Sequence, residues 1–153
     1  MQPVQYIILD KTLNMSVGKA AAQAAHASVE GIRLNAKEEW GNPWDEKLVN
    51  LWYRGGHYAK VVLETTNLHA AQTYLENRGI KTTMIVDEGR TEFEAELTPT
   101  ALALPVVDKD IPHVRETFSC FDLYRDWWNS PSARPPSLII ESPKRLKWRR
   151  SKP

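Results

Sequence analysis

The stretch GKAAAQAAHA, residues 18–27, constrains what this chain can fold into more than any other segment of its length. Its alanines favour a helix. A helix with so little side-chain bulk becomes stable by pressing close against another layer. At about 100° per residue, Lys19, Gln23, His26 and Glu30 fall within an arc of roughly 60°. Val17, Ala21, Ala24, Ala25, Ser28 and Ile32 take the other side, and that side is expected to lie on a sheet. Such packing holds an ammonium, an amide and an imidazole in a row on a rigid edge. Taken alone, the row also fits the solvated face of an ordinary amphipathic helix.

The flanking residues supply the other layer. Val4–Leu9 (VQYIIL) is short, β-branched and aromatic, as a buried strand requires. Ser16 is placed to cap the alanine-rich helix, which is predicted to run to about Leu34. The pattern from Trp44 to Tyr53 predicts a second short helix, ended by Gly55-Gly56. Lys60–Glu64 reads as a second strand, and Asn67 caps a helix reaching about Arg78, closed by Gly79. Thr82–Val86 predicts a third strand and Thr100–Val107 a fourth. Pro112 opens a last helix with Val114, Thr117 and Phe118 on one face. Strands alternating with helices imply an α/β sandwich.

A chain of 153 residues suits one domain. The single cysteine, Cys120, cannot form an internal disulfide and fits a reducing compartment; between Phe118 and Phe121 it is expected to be a buried, inert thiol. No apolar run approaches the ~20 residues of a membrane span, and the first residues do not read as a secretory signal, so a cytoplasmic location is expected. The net charge of +1 conceals an asymmetry. Residues 1–142 hold all 19 acidic and 14 of the 20 basic residues, a formal −5. The last eleven residues hold Lys144, Arg145, Lys147, Arg149, Arg150 and Lys152, with Trp148 among them and no carboxylate. Tails of this kind meet nucleic acid, or serve as solvated, disordered ends. After Tyr124 the composition turns to SPSARPPS and then this basic end, so residues 1–124 read as the folded body and 125–153 as a linker and irregular extension.

A second polar group lies at the predicted end of the third strand, Asp87-Glu88-Gly89-Arg90-Thr91. Ligand sites collect at the carboxyl ends of strands in α/β sheets. Gly89 permits a tight turn that would gather a carboxylate, a guanidinium and a hydroxyl. Glu88 and Glu92 add carboxylates beside Asp87, which are expected to raise its pKa and oppose incoming phosphates. Other chemistries find no support. Leu13 and Ala20 occupy the positions where a phosphate-binding loop needs glycine and a hydroxyl, and His57, His69 and His113 are isolated, so neither a nucleotide loop nor a metal centre is expected.

In order and spacing, these blocks resemble the archaeal/eukaryotic-type peptidyl-tRNA hydrolases, the peptidyl-tRNA hydrolase 2 family. The carriers are VQYIIL, Gly18-Lys19 through Gln23 and His26-Ala27, Lys60–Leu63, Asp87-x-Gly89-Arg90-Thr91, and Thr100–Leu104, within residues 4–124. The resemblance implies a three-layer α/β/α sandwich with a four-stranded mixed sheet, often dimeric. It further implies cleavage, without metal or cofactor, of the ester joining a peptide to the terminal ribose of tRNA. The family's functional positions fall on Lys19, Gln23, His26, Lys60, Asp87, Thr91 and Thr100.

Ester hydrolysis needs a directed water, donors for the tetrahedral oxyanion and a proton for the leaving ribose oxygen. No side chain here is set up as a covalent nucleophile. Asp87 is therefore expected to position water or polarise His26, with His26 or Thr91 relaying the proton. Lys19 and Lys60 are assigned to oxyanion or phosphate charge, Gln23 and Thr100 to orienting the ester, and Arg90 to the tRNA backbone. Two rival readings use the same residues differently: a family member that only binds tRNA or a protein, and an RNA-binding protein working through its tail.

Overall fold

In the computed structural model, which describes residues 1–35 and 46–125, the central element is strand β1, Pro3–Asp10. Six consecutive residues of β1, Val4 to Leu9, are buried. An uninterrupted run of this kind belongs to a strand covered on both faces. Val4, Tyr6 and Ile8 enter one core cluster, and Ile7 and Leu9 enter another. After β1 the chain forms, in order, α1 (Val17–Arg33), α2 (Glu46–Arg54), β2 (Lys60–Thr65), α3 (Leu68–Glu76), β3 (Thr83–Asp87), β4 (Thr98–Ala103), β5 (Val106–Asp108) and α4 (Pro112–Phe118).

The sheet is mixed, in the order β2-β1-β4-β3, with the short β5 also paired to β1. β2 runs parallel to β1, and β4 and β5 run antiparallel to it. The run expected as one strand over Thr100–Val107 is thus two, separated at Leu104-Pro105. Proline has no N–H for a ladder, so the chain breaks pairing there and resumes against the first residues of β1. Leu68, Ala71 and Leu75 of α3 and Val114 and Phe118 of α4 fill one side of the sheet, while Ala20 and Ala27 of α1 cover the other. This is the expected α/β/α sandwich. The expected irregular extension, beyond Arg125, lies outside the described residues.

The start signals act as read. The Ser16 side chain accepts from the Lys19 N–H at 3.2 Å, Asn67 accepts from the Ala70 N–H at 3.0 Å, and Pro112 opens α4. The orientation of α1 is corrected. Its buried residues are Ala20, Gln23, Ala27, Ser28 and Gly31, whereas Val17, Ala21 and Ala25 are exposed. The polar row flanks the buried stripe instead of opposing it.

Size, not polarity, selects the inward stripe. A Cβ on Gly31 would stand 2.1 Å from the Leu104 carbonyl oxygen, so only glycine allows this approach. The polar groups drawn inside are paired. Ser28 Oγ donates to Gln5 Oε1 at 2.6 Å, and Gln5 Nε2 donates to the carbonyls of Ser28 (2.9 Å) and Leu104 (3.2 Å). Buried polar groups satisfied in this way fix one register of helix on sheet. Cys120 also departs from expectation: it is exposed, because α4 ends at Phe118, which takes the buried position.

Candidate active site

The carboxyl end of β3 delivers Asp87 to the first turns of α1. Lys19 Nζ donates to Asp87 Oδ1 at 2.7 Å and to Thr91 Oγ1 at 3.0 Å. Gln23, one turn along α1, donates from Nε2 to the same Asp87 oxygen at 2.9 Å. The acceptor-only carboxylate fixes which way this amide points, and the Thr100 hydroxyl donates to Gln23 Oε1 at 2.5 Å. Gly89 donates its backbone N–H to Asp87 Oδ2 at 2.8 Å, from a left-handed φ of 72°. A Cβ there would meet the Glu96 backbone at 2.6 Å, so this turn requires glycine.

The side chains of Lys19 and Asp87 are only 9% and 13% exposed, so the ion pair is largely withdrawn from water. The Lys19 hydrogen bond is the main influence holding the Asp87 carboxyl below its ordinary pKa. Burial works in the opposite direction, and the Gly89 N–H, the Lys19 charge and Gln23 add to the lowering. The expected upward push from Glu88 and Glu92 does not occur, because both carboxylates are turned to other partners. Glu88 pairs with Arg90 at 2.6 Å in an exposed ion pair. Glu92 accepts from the Ser16 hydroxyl and, at 3.2 Å, from the Ser16 N–H. A carboxylate there also complements the positive end of the helix.

The structure brings Lys19, Gln23, Asp87, Thr91 and Thr100 together and leaves the other expected residues apart. Gln23 and Thr100 are fully buried behind Asp87. Gln23 reaches the carboxylate directly and Thr100 reaches it through Gln23. His26 is exposed and makes no hydrogen bond or ion pair among the described residues, so the expected polarisation by Asp87 is absent. The buried stripe passes through Gln23 to Ala27 and leaves the ring of His26 to one side. Lys60 is opposite Gln5, at the far end of β1 from Asp10 and the Asp87 turn. Its ammonium sits over the Trp52 ring, 4.6 Å from the centroid. Arg90 is exposed and engaged with Glu88. The basic residues Lys144, Arg145, Lys147, Arg149, Arg150 and Lys152, with Trp148, lie outside the described residues.

Three contacts of the site are not among those expected from the sequence. The Asp87-x-Gly89 spacing is the signature of an Asx turn, which could have flagged the Gly89 N–H as a donor. Phe93, with its ring centroid 5.3 Å from Lys19 Nζ, and the Ser16–Glu92 clamp depend on loop geometry that no local pattern reveals.

Chemically, the cluster is a directed acceptor beside directed donors. Asp87 Oδ2 has only the Gly89 N–H as a partner among the described residues, so a lone pair remains for a water. Thr91 Oγ1 accepts from Lys19, which leaves its own proton to give. Lys19 has a third N–H to direct at developing negative charge.

The profile of the family described as peptidyl-tRNA hydrolase PTH2 matches residues 3–121. A peptidyl-tRNA hydrolase of Halobacterium salinarum is 36% identical over 121 residues, covering 76% of this chain and 98% of its own length. One from Aeropyrum pernix is 38% identical over 103 residues, 65% of this chain and 80% of its own. One from Methanopyrus kandleri is 39% identical over 93 residues, 59% and 73% respectively. With the profile spanning more than half of the sequence, and the sandwich and polar cluster in place, this chain belongs to the peptidyl-tRNA hydrolase PTH2 family.

Proposed function

We propose that the chain hydrolyses the ester between a peptide and the terminal ribose of tRNA at the Lys19–Asp87–Thr91 cluster, without a metal ion. The observation that carries the assignment of roles is the donor arrangement around Asp87: three donors fix the carboxylate, and one oxygen retains an open lone pair. A water held by that oxygen attacks the ester carbonyl carbon. As the C–O bond forms, the carbonyl oxygen becomes an oxyanion that the remaining Lys19 N–H stabilises. A proton of the attacking water passes through the Thr91 hydroxyl to the ribose oxygen, which leaves as the ester C–O bond breaks. Free tRNA and a peptide carboxylic acid result, and the acid ionises to the carboxylate by releasing the second proton of the water to solvent. Asp87 orients the water by accepting a hydrogen bond, a role that suits a carboxyl with a lowered pKa.

Among the described residues, no three His, Cys, Asp or Glu side chains converge to hold a metal ion. The reaction proposed here needs none. Release of free tRNA from N-acetyl-aminoacyl-tRNA is the direct assay, with EDTA in a parallel series. Turnover is expected in both. No turnover from folded protein overturns the hydrolase reading, and turnover abolished by EDTA and restored by a divalent cation overturns the metal-free one.

No helix of the described residues is long and apolar enough to cross a membrane, and we place the protein with its substrate in the cytoplasm. We assign the basic tail to the tRNA backbone. A body at a formal −5 associates poorly with a polyanion, whereas six cations within eleven residues displace its condensed counterions. Trp148 can add base stacking. Truncation after Ser142 is expected to raise KM and flatten the salt dependence of binding. Each lost phosphate contact should remove about 0.7–0.9 from the slope of log K against log salt. Equal affinity and slope in the truncated protein would exclude the tail from the substrate site.

A further inference from the structure

At the end of the sheet opposite Asp87, a second polar and aromatic group has no part in the chemistry above. Tyr58 stands edge-on to Trp52 (ring centroids 5.9 Å apart, 89° between planes) and to Tyr53 (5.1 Å, 84°). Trp52 is buried, and its indole N–H donates to the Ala59 carbonyl at 2.9 Å. Tyr53 and Tyr58, in contrast, are 58% and 49% exposed. Lys60 completes the group, its Nζ 4.6 Å from the Trp52 centroid and 5.6 Å from that of Tyr58.

Two features set this apart from a loop packed for its own stability. His57 and Tyr58 are consecutive non-glycine residues with left-handed φ of 52° and 56°. Each such residue costs on the order of 1–2 kcal/mol, and here the cost holds a large apolar ring at the surface instead of burying it. Strain of this sort concentrates at ligand-binding positions. The second feature is charge. Residues 47–60 carry Lys47, Arg54 and Lys60 and no carboxylate, within a body that is otherwise acidic. Among the described residues Lys47, Arg54 and Lys60 form no ion pair, Lys60 donating only to the Tyr58 carbonyl at 3.1 Å, and exposed rings beside such cations are what a nucleobase and its phosphate require.

The placement fits the same substrate. Lys60 is in register with Gln5 and shares its face, and Gln5 reaches Ser28, so Lys60 lies on the α1 side of the sheet, as do Lys19 and Gln23. Five residues of β1 separate its register from that of Asp10, about 17 Å, and three strand spacings separate β2 from β3, about 14 Å. The separation from the Asp87 turn is therefore on the order of 20 Å, within reach of a few unpaired nucleotides.

We propose that Tyr53, Tyr58, Arg54 and Lys60 form a second RNA contact, in which one exposed tyrosine ring stacks an unpaired nucleobase of the tRNA 3′ end, the other ring, set at 84° to it, borders the edge of that base, and the two cations hold its phosphate. This inference rests on the hydrolase reading for the identity of the RNA, but its test does not depend on turnover. Uncharged tRNA is titrated against wild type, Tyr53→Ala, Tyr58→Gly and Tyr53→Phe, and KM is measured on N-acetyl-aminoacyl-tRNA. The glycine at position 58 also accepts the left-handed backbone, so that variant folds without the strain.

Tyr53→Ala and Tyr58→Gly are expected to raise both Kd and KM roughly 5- to 50-fold. Tyr53→Phe, which keeps the ring, should match wild type. The losses should be confined to tRNA-length substrates, with kcat/KM retained on N-acetyl-aminoacyl-adenosine, which is too short to reach the rings. Unaltered tRNA affinity in both variants overturns the proposal. Equal losses on both esters overturn it as well, by marking a fold defect. A change from dimer to monomer at constant tRNA affinity would reassign the rings to contact between copies of the chain. Should wild type cleave neither ester, the hydrolase reading fails, and the tRNA titration still decides the platform.

Discussion

Asp87→Asn is expected to lower kcat by roughly 10²–10⁴-fold while changing KM little. The amide is nearly isosteric, so the turn at Gly89 and the packing of α1 should persist. The pairing itself does not persist: Lys19 Nζ, held at 2.7 Å by a carboxylate, would face a neutral group, and the water would lose its anionic acceptor. In the proposed mechanism these interactions act on the reacting atoms, so the loss should appear in kcat. Steady-state kinetics with circular dichroism to verify the fold will measure it, and full activity would demote Asp87 to a turn residue.

The pH dependence has a definite sign. Asp87 has a lowered pKa in the folded protein, so it remains ionised throughout the neutral range. Activity limited by this group should therefore stay level as pH falls toward the ordinary Asp value of about 3.9, with any loss below that. The pair's contribution to stability follows the same rule. It is present in full above the unfolded-state pKa and fades as pH falls through the lower folded-state value.

A large loss of stability is expected from Gly31→Ala. In an open helix this change would stabilise by about 1 kcal/mol through helix propensity. Here the added Cβ would sit 2.1 Å from the Leu104 oxygen, 2.7 Å from Gln5 Nε2 and 2.9 Å from the Leu104 carbon. Two of these three atoms are backbone and cannot swing aside. Overpacking of a close contact costs typically 1–3 kcal/mol, sometimes more, and the Gln5–Ser28 hydrogen bonds would be strained with it. The clash outweighs the propensity gain, so a net loss of about 2 kcal/mol and a Tm lower by roughly 4–8 °C are expected. An unchanged Tm would show that α1 is free to lift from the sheet.

The contrast between Gly31 and Val17 explains how far the sequence could be read. Local signals worked wherever the cause was local: Ser16, Asn67 and Pro112 begin helices because capping and φ restriction act within one turn. The β-branched and aromatic Val4–Leu9 segment announced a buried strand, and its six residues are indeed buried. The inward face of α1 escaped, because hydropathy ranks Val17 above Gln23, whereas the sheet selects Ala20, Ala27 and Gly31 for size and closes over Gln23 once Thr100 and Asp87 satisfy it.

The site was legible in part for the same reason. Lys19, Gln23, Asp87, Thr91 and Thr100 stood out through their family pattern, and they do meet in space. Separating them from His26 and Lys60 required the register of β1 with β2 and the roll of α1, both of which are long-range properties. The lowered pKa of Asp87 was hidden likewise. Glu88 and Glu92 are its neighbours in sequence, but their charges are spent on Arg90 and on the start of α1.

The bond from Glu92 to Ser16 gives the site a shared fate with the end of a helix. Ser16 caps α1 three residues before Lys19, and Glu92 follows Thr91 directly. Helix ends fray more readily than whole domains unfold. When the first turn of α1 opens, the loop bearing Thr91 loses its anchor as Lys19 loses its place, so the working arrangement dissolves in one step. Under the proposed mechanism, thermal inactivation is expected to follow this local opening and to precede global unfolding, so that activity is lost while the bulk folding signal persists.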